Sequence, residues 1–262
     1  MELINSILTV AFLTQVFRLM TPYYLGASAA NFSERGGVIN IAIEGFMALS
    51  AFSFAMFCII THNVTLSVFL AIIINLVFAL LYSLFTVKLK INQIVTGVGF
   101  NILIAGLTKF LMMIIFHSSS NTERFEGIPD NALIAQIPII GGILSDYIVL
   151  FAIILIFLSN FVLFKTTFGL RLRSVGENPE AAESLGIKVR HYTVYGILIS
   201  GFLASLAGIW LASEQKSFSD GMIAGRGYIA LAAMIIGKWK PVNIFFASLI
   251  FAFFEALQIS IQ

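Results

Sequence analysis

The sequence predicts an all-α, polytopic integral membrane protein, and three observations support this fold class. Hydrophobic residues occupy 59% of the 262 positions and charged residues only 11%. The mean hydropathy, +0.99, is far above that of a soluble globular domain. Several segments are almost free of charge and approach the ~20 residues that a helix needs to cross a bilayer, which excludes a soluble domain with a large core. We therefore expect one transmembrane domain, residues 1–262, with about eight hydrophobic segments that include broken or half-length helices.

The hydrophobic segments follow one another along the whole chain. Glycine, threonine and asparagine interrupt several of them, so their edges are defined only to within a few residues. The first segment has neither a basic start nor a small-residue cleavage site, which favours a span over a cleaved signal peptide. The predicted segments are 3–20, 38–60, 66–87, 91–116, 147–164, 192–212, 228–236 and 242–261.

Basic residues predict the orientation, because they fall in loops that alternate onto one face. The positive-inside rule assigns that face to the cytoplasm. The loop 117–146 carries four acidic residues against the single base Arg124 and is expected outside. Counting back places the N-terminus outside and the connection after the first segment, including Arg18, inside. The inward-facing basic residues are Lys88, Lys90, Lys165, Arg171, Arg173, Lys188, Arg190, Lys238 and Lys240.

Two glycine-containing stretches resemble each other and form a weak internal repeat. Residues 34–42 read ERGGVINIA and residues 226–232 read RGYIALA, each an Arg-Gly pair before a helix start of small and β-branched residues. A helix over 228–236 rises only about 14 Å, half of the ~30 Å hydrocarbon core, and cannot span alone. Half helices at matching places expose backbone polar groups to a midplane pathway. The alternative is that the glycines permit close helix packing.

Ionisable and amide side chains inside apolar segments mark a candidate pathway, because unpaired charge in a bilayer is costly. Hydrogen bonding between helices is the alternative for the amides, and we favour it for Asn75 and Asn160. The long stem of Lys109 allows its charge to reach the outer surface. The candidate pathway residues are Asn40, Glu44, Asn92, Gln93, Asn101, Arg226, Tyr228 and Glu255.

The stretch 168–190, FGLRLRSVGENPEAAESLGIKVR, predicts one short helix between two apolar segments. Asn178 is a good N-cap, Pro179 suits the first helical position, and Gly186 suits a left-handed residue beyond the end, so the helix has about two turns. Glu180 and Glu183 lie near the positive end of its dipole. Small exposed residues would let it dock into a partner's groove, although an ordinary surface helix is the alternative. The residues predicted to be exposed are Ala181, Ala182, Ser184 and Leu185.

Familiar catalytic motifs are missing from the sequence. No G-x-x-x-x-G-K-[ST] loop is present, so the chain does not bind ATP in that manner. His62, His117 and His191 lack metal-ligand spacing, and the single cysteine, Cys58, has neither a disulfide partner nor a visible histidine partner. We expect no enzyme, no metal and no cofactor. The net charge of +2 does not point to nucleic acid.

Four segments resemble the permease subunits of bacterial ATP-binding-cassette (ABC) importers, in the family that includes the ribose-type and branched-chain amino-acid permeases. They are SERGGVINIAIEGFMALSAF, NQIVTGVGFNILIAGLT, FGLRLRSVGENPEAAESLGIKV and GRGYIALAAMIIGKWKPVNIFFASLIFAFFEALQ. The likeness is greatest to the branch that serves nucleosides and simple sugars. Such permeases continue past the equivalent of Gln262 with a further apolar segment, so the resemblance implies a shortened form.

The resemblance also implies a function and a set of partners. It implies a permease of the bacterial plasma (inner) membrane that works with a second permease subunit, a cytoplasmic ABC ATPase that binds the ATP, and an extracytoplasmic solute-binding lipoprotein. It further implies that residues 166–191 form the cytoplasmic coupling loop, whose short helix docks into the ATPase. The coupling residues so implied are Gly176, Glu177, Asn178, Pro179, Ala181, Ala182, Glu183 and Gly186.

The polar and aromatic residues near the breaks favour a neutral, ring-bearing solute. The amides can donate and accept hydrogen bonds, and Phe46, Phe100 and Tyr228 can stack on a ring. A nucleoside satisfies both features and a simple sugar mainly the first. Two other classes remain: a secondary carrier with a proton site at Glu44 or Glu255, and a membrane scaffold that transports nothing.

Overall fold

The structure, a computed structural model, describes residues 10–131, 134, 141 and 144–261. Over these residues the chain forms ten α-helices, and a π-helical turn, Leu84–Lys88, extends the third. The helices are α1 Val10–Arg35, α2 Ile43–Thr61, α3 Val64–Ser83, α4 Gln93–Phe116, α5 Tyr147–Lys165, α6 Thr167–Glu177, α7 Pro179–Ser184, α8 Val189–Gln215, α9 Arg226–Ile236 and α10 Pro241–Ile261.

Within the described part of the chain, six helices are long and apolar enough to cross a membrane: α2, α3 with its π-helical turn, α4, α5, α8 and α10. The predicted all-α, polytopic membrane fold is therefore confirmed. Four predicted segments match α4, α5, α9 and α10 to within two residues. The half-length segment predicted near 228–236 is α9, which has 11 residues.

The end predicted for the first segment is wrong. That segment, 3–20, was expected to stop at Met20, whereas α1 runs unbroken to Arg35 with Pro22 inside it; residues 1–9 lie outside the described part of the chain. Several polar residues that follow Met20 are buried in the bundle, where α8, α9 and α10 pack around α1. Small polar side chains permit that close packing, because they let helix backbones approach. They are Thr21, Ser28, Asn31 and Ser33.

The position predicted for Arg18 is also wrong, as a consequence of the longer helix. Arg18 forms an ion pair with Glu214 near the C-terminal end of α8. Arg35, about 25 Å further along α1, donates to the Trp239 carbonyl at the other end of the bundle. Arg18 therefore lies opposite the basic loops and not beside them.

One end of the bundle, which we call the basic end, gathers the predicted basic loops. Arg35 and Arg173 line one pocket with Trp239. Lys88 and Arg190, from different helices, line another groove. This arrangement agrees with the predicted alternation of basic loops onto one face.

The opposite end, which we call the acidic end, is closed by contacts of the loop 117–131, of Asp146 before α5 and of Asp220 after α8. The Thr122 amide donates to the Phe218 carbonyl at 2.9 Å, and Trp210 Nε1 donates to Asp146 at 2.9 Å. Lys109 Nζ lies 3.2 Å from Asp220 Oδ2, so its charge reaches this end as its long stem suggested.

Of the six candidate spans, α8 is the most buried in the bundle, and α3 and α4 are the least buried. The buried Asn75 of α3 donates to the Gly201 carbonyl of α8 at 2.8 Å. An added Cβ at Gly201 would lie 2.7 Å from the Ala79 Cβ, so the two helices are in close contact there. Asn75 therefore serves helix association, as expected.

The two ends should face opposite sides of the membrane. In a Cys58→Ser background, cysteines introduced at the exposed Ser120 and Ser184 lie at the acidic and basic ends. We expect an impermeant maleimide to label Ser120→Cys in intact cells and Ser184→Cys only after permeabilisation, because basic loops stay in the cytoplasm. Labelling of both from one side would overturn the assigned orientation.

Candidate functional site

The two glycine-containing breaks meet inside the bundle. The first break, residues 36–42, joins α1 to α2, and the second break, residues 216–225, leads into α9. Glu44 Oε1 accepts a hydrogen bond from the Gly225 amide at 2.8 Å, and Oε2 accepts one from the Gly227 amide at 2.7 Å. A carboxylate suits this place because the N-terminus of a helix carries unpaired N–H groups and partial positive charge.

Glycine is favoured at two positions of this junction. Gly225 has a φ of +82°, a left-handed conformation that side chains disfavour. A Cβ on Gly227 would lie 2.7 Å from both the backbone nitrogen and the Cα of Glu44. The Arg-Gly pattern thus reflects close backbone approach as well as helix interruption.

A charged cluster joins three helices beside the junction. Arg226 Nη2 of α9 lies 2.5 Å from Glu255 Oε1 of α10, and the Tyr23 hydroxyl of α1 donates to Glu255 Oε2 at 2.7 Å. The side chains of Arg226 and Glu255 are only 17% and 18% exposed. The pairing explains how both charges are tolerated within a membrane protein.

The amide of Asn101 holds the other side of the junction. Its Oδ1 accepts from the Gly45 amide at 2.8 Å, and its Nδ2 donates to the Ile41 carbonyl at 3.0 Å and to the Tyr228 hydroxyl at 2.9 Å. Tyr228 is 46% exposed, so its ring forms an open face of the junction.

Asn40 and Gln93 fix the backbone of the first break. Asn40 Oδ1 accepts from the Ala42 amide at 3.1 Å, and its Nδ2 donates to Ser200 Oγ at 3.0 Å. Gln93 Oε1 accepts from the Ile39 amide at 2.9 Å, and its Nε2 donates to the Gly37 carbonyl at 3.2 Å. These amides satisfy backbone groups that the interrupted helix leaves unpaired.

Three residues expected near the solute make contacts within the protein. Asn92 caps α4 by accepting from the Ile94 amide at 2.9 Å. Phe46 and Phe100 are buried, and each ring packs edge-on against Tyr82. Of the three aromatic residues expected to stack on the solute, Tyr228 is therefore the one that is accessible in this conformation.

A cavity of about 610 Å³ lies between α1 and α8 on the acidic side of the junction and reaches Arg226. Its polar lining includes Gln15, Arg18, Glu214 and Gln215. The sequence analysis did not predict this cavity because it placed Arg18 at the opposite end of the bundle. Two polar residues in the first apolar segment, Gln15 and Arg18, were the sequence feature that could have indicated it.

The short helix α7 forms with the predicted caps. Asn178 Oδ1 accepts from the Ala181 amide at 3.0 Å, Pro179 is the first helical residue, and Gly186 has a φ of +78°. A second helix, α6, precedes it and was not predicted. Two sequence features could have predicted α6. Thr166 caps the helix with its hydroxyl, and residues at intervals of three, Gly169, Leu172 and Val175, are buried.

The predicted exposure of Ala182 is wrong. Ala182 is 2% exposed, because α7 packs one face against α6 and α8. Ala181 and Ser184 are exposed as expected, and Leu185 is 81% exposed. The other exposed members of the implied coupling set are Gly176, Glu177, Asn178, Pro179, Glu183 and Gly186.

The helix α6 connects this surface to the first break. A Cβ added to Gly36 would lie 3.2 Å from Leu172 Cδ1. A Cβ added to Gly37 would lie 3.6 Å from the Cα of Gly176. Gly176 also lies against the Arg35 carbonyl, where a Cβ would collide. Movement of α6 would therefore be transmitted directly to the break.

Beside α7, the outer face of α6 is positively charged. Arg171 Nη1 donates to the Tyr192 hydroxyl at 3.1 Å, and this hydrogen bond raises the pKa of the Arg171 guanidinium above its usual value. Arg171 therefore remains a fixed positive charge at the basic end.

The fold and the site define a class of protein: a multi-pass membrane protein with two interrupted helices at a polar junction and an exposed helix hairpin at one end. Residues 12–261 match the family described as branched-chain amino acid transport system permease components. The chain belongs to this permease family. No solved structure matches it.

Three relatives illustrate the range of named transporters to which the chain is similar. It is 38% identical over 250 residues, 91% of this chain and 79% of the relative, to the nucleoside ABC transporter permease protein NupC of Lactococcus lactis. It is 36% identical over 250 residues, 91% and 78% of the two chains, to the guanosine ABC transporter permease protein NupQ of Bacillus subtilis. It is 29% identical over 242 residues, 88% and 71%, to the putative glucose ABC transporter permease protein TsgC13 of Haloferax volcanii.

The close approach at Gly227 gives a direct test of the junction. We expect Gly227→Ala to force α2 and α9 apart, to destabilise the protein by about 1–3 kcal/mol and to reduce transport. The matched control is Gly99→Ala in α4, where an added Cβ meets no atom within 4 Å. Thermal denaturation in detergent would compare them, and equal stability of the two variants would contradict the proposed packing.

Proposed function

We propose that this chain is a transmembrane subunit of an ABC importer that moves nucleosides into the cell. The observation that carries the proposal is the capped helix α7, exposed at the basic end and linked through α6 to the first break. A separate cytoplasmic ATPase would bind α7, a second permease subunit would complete the pathway, and an extracytoplasmic lipoprotein would deliver the solute. Membership of the permease family and the names of the relatives support these partners.

Coupling would follow a short mechanical route. Closure of the ATPase pair would push α7 and α6, and α6 lies against Gly36 and Gly37 of the first break. The same push would shift α1, whose Tyr23 is hydrogen-bonded to Glu255. Both breaks would then move together, because Glu44 joins them. The result would be alternate opening toward the two membrane faces.

Two roles are proposed for the polar residues of the junction. The half-exposed Tyr228 would contact the solute by stacking on the base, and Asn101 would orient Tyr228 by donating a hydrogen bond to its hydroxyl. Arg226, Glu255 and Glu44 would hold the interrupted helices in register while the solute passes. Asn40, Asn92 and Gln93, which bond to the protein itself, would support the first break and the start of α4.

The coupling role of α7 is tested at Ala181, which is exposed, and not at the buried Ala182. We expect Ala181→Arg to preserve membrane insertion while abolishing co-purification of the ATPase and reducing uptake at least tenfold, since an interface of small residues has no room for the guanidinium. Ala181→Ser keeps the site small and is the control. Retention of both uptake and ATPase binding in Ala181→Arg would show that α7 is only a linker.

The choice of solute is tested by competition. In cells that carry the whole transporter, we expect uptake of labelled guanosine or adenosine to be blocked by excess unlabelled purine nucleosides and spared by ribose, glucose or galactose. Competition by sugars alone would assign the chain to a sugar importer, the alternative suggested by the relative named for glucose. Collapse of uptake with uncouplers, but not with ATP depletion, would indicate a secondary carrier.

A further inference from the structure

A membrane-facing groove at the basic end has a distinct chemistry. It has a volume of about 550 Å³ and lies between α3, with its π-helical turn, and the start of α8. Its α3 wall presents Val77, Leu80, Leu81 and Leu84, and its α8 wall presents Val194. The hydroxyl of Ser83, which also lines the groove, donates to the Leu80 carbonyl at 2.7 Å. The groove therefore offers little to hold water.

The length of the groove corresponds to one leaflet of a bilayer. Val77 and Lys88 lie at its two ends along the α3 wall. Eleven helical residues rise about 16 Å, which is half of the ~30 Å hydrocarbon core. One acyl chain, entering from the basic end, would fit this depth.

Two basic residues stand at the mouth of the groove, one from each wall. Lys88 ends the π-helical turn and Arg190 lies in the first turn of α8, and both are exposed. Across the described part of the chain, the acids that form ion pairs are Glu214, Asp220 and Glu255, and none of these is paired with Lys88 or Arg190. Both charges are therefore available to an external anion.

We propose that this groove binds an anionic phospholipid, with its phosphate between Lys88 and Arg190 and an acyl chain along the α3 wall. Basic pockets between membrane helices at the cytoplasmic side suit such headgroups. A second copy of this chain fits less well, because a two-fold contact places the same patch on both subunits and would bring like charges together. The ligand would brace the start of α8, next to α7, but the assignment does not depend on the proposed transport function.

Native mass spectrometry of the purified transporter assembly can test the site with two lipids of identical chains, palmitoyl-oleoyl phosphatidylglycerol and phosphatidylcholine. We expect phosphatidylglycerol to bind about thirtyfold more tightly, the factor for two basic residues near an anionic surface. Lys88→Gln with Arg190→Gln should remove this preference. Lys165→Gln with Lys240→Gln, which removes two exposed charges outside the groove, should keep it.

A second variant tests the apolar wall separately from the charges. Val194→Phe should fill the groove and weaken binding of the lipid while Lys88 and Arg190 remain. Unchanged binding in Val194→Phe would overturn the acyl-chain assignment, and equal affinity for the two lipids would overturn the headgroup assignment. If both double variants lost the preference for phosphatidylglycerol equally, the preference would come from general surface charge and not from this groove. Competition by inorganic phosphate would identify a site for a free anion instead.

Discussion

The carboxylate of Glu44 is the interaction on which the arrangement of the interrupted helices depends. An interruption inside a membrane protein leaves backbone N–H groups that lipid cannot satisfy, and each unsatisfied group costs several kcal/mol. Glu44 accepts hydrogen bonds from two such groups, at Gly225 and Gly227, and thereby ties the start of α2 to the start of α9. Without it, the two interruptions would have to be satisfied separately.

The charges near this carboxylate are balanced by direct pairing. Glu255 is shared between Arg226 and the Tyr23 hydroxyl, so the charged cluster spans α9, α10 and α1. A helix that moved alone would leave an acid or a base unpaired at low exposure, which is strongly unfavourable. The helices joined by this cluster are therefore expected to move as a unit. Changes of backbone conformation are expected in the flanking breaks instead.

The basic end reaches the first break through close contacts at glycines, which involve backbone atoms and the side chain of Leu172. Gly36 and Gly37 lie directly against α6, and the Arg35 carbonyl lies against Gly176. Close contacts of this kind transmit displacement because packed interiors deform little. The hairpin of α6 and α7 is thus positioned to act on the first break whatever partner binds it.

The local sequence is enough to predict the membrane fold class, most helix boundaries and the caps of α7, because these depend on hydropathy and on residues such as Asn178, Pro179 and Gly186. It also identified Glu44, Arg226 and Glu255 as unusual, since charge within apolar segments needs a partner. Their partners become visible in the folded protein alone, because Glu44 contacts Gly227 across 183 residues of chain. The tertiary structure also decided that α1 continues to Arg35, that Arg18 lies at the acidic end and that Ala182 is buried. Small polar residues suit a loop and a tightly packed helix equally well, and only the neighbouring helices distinguish the two.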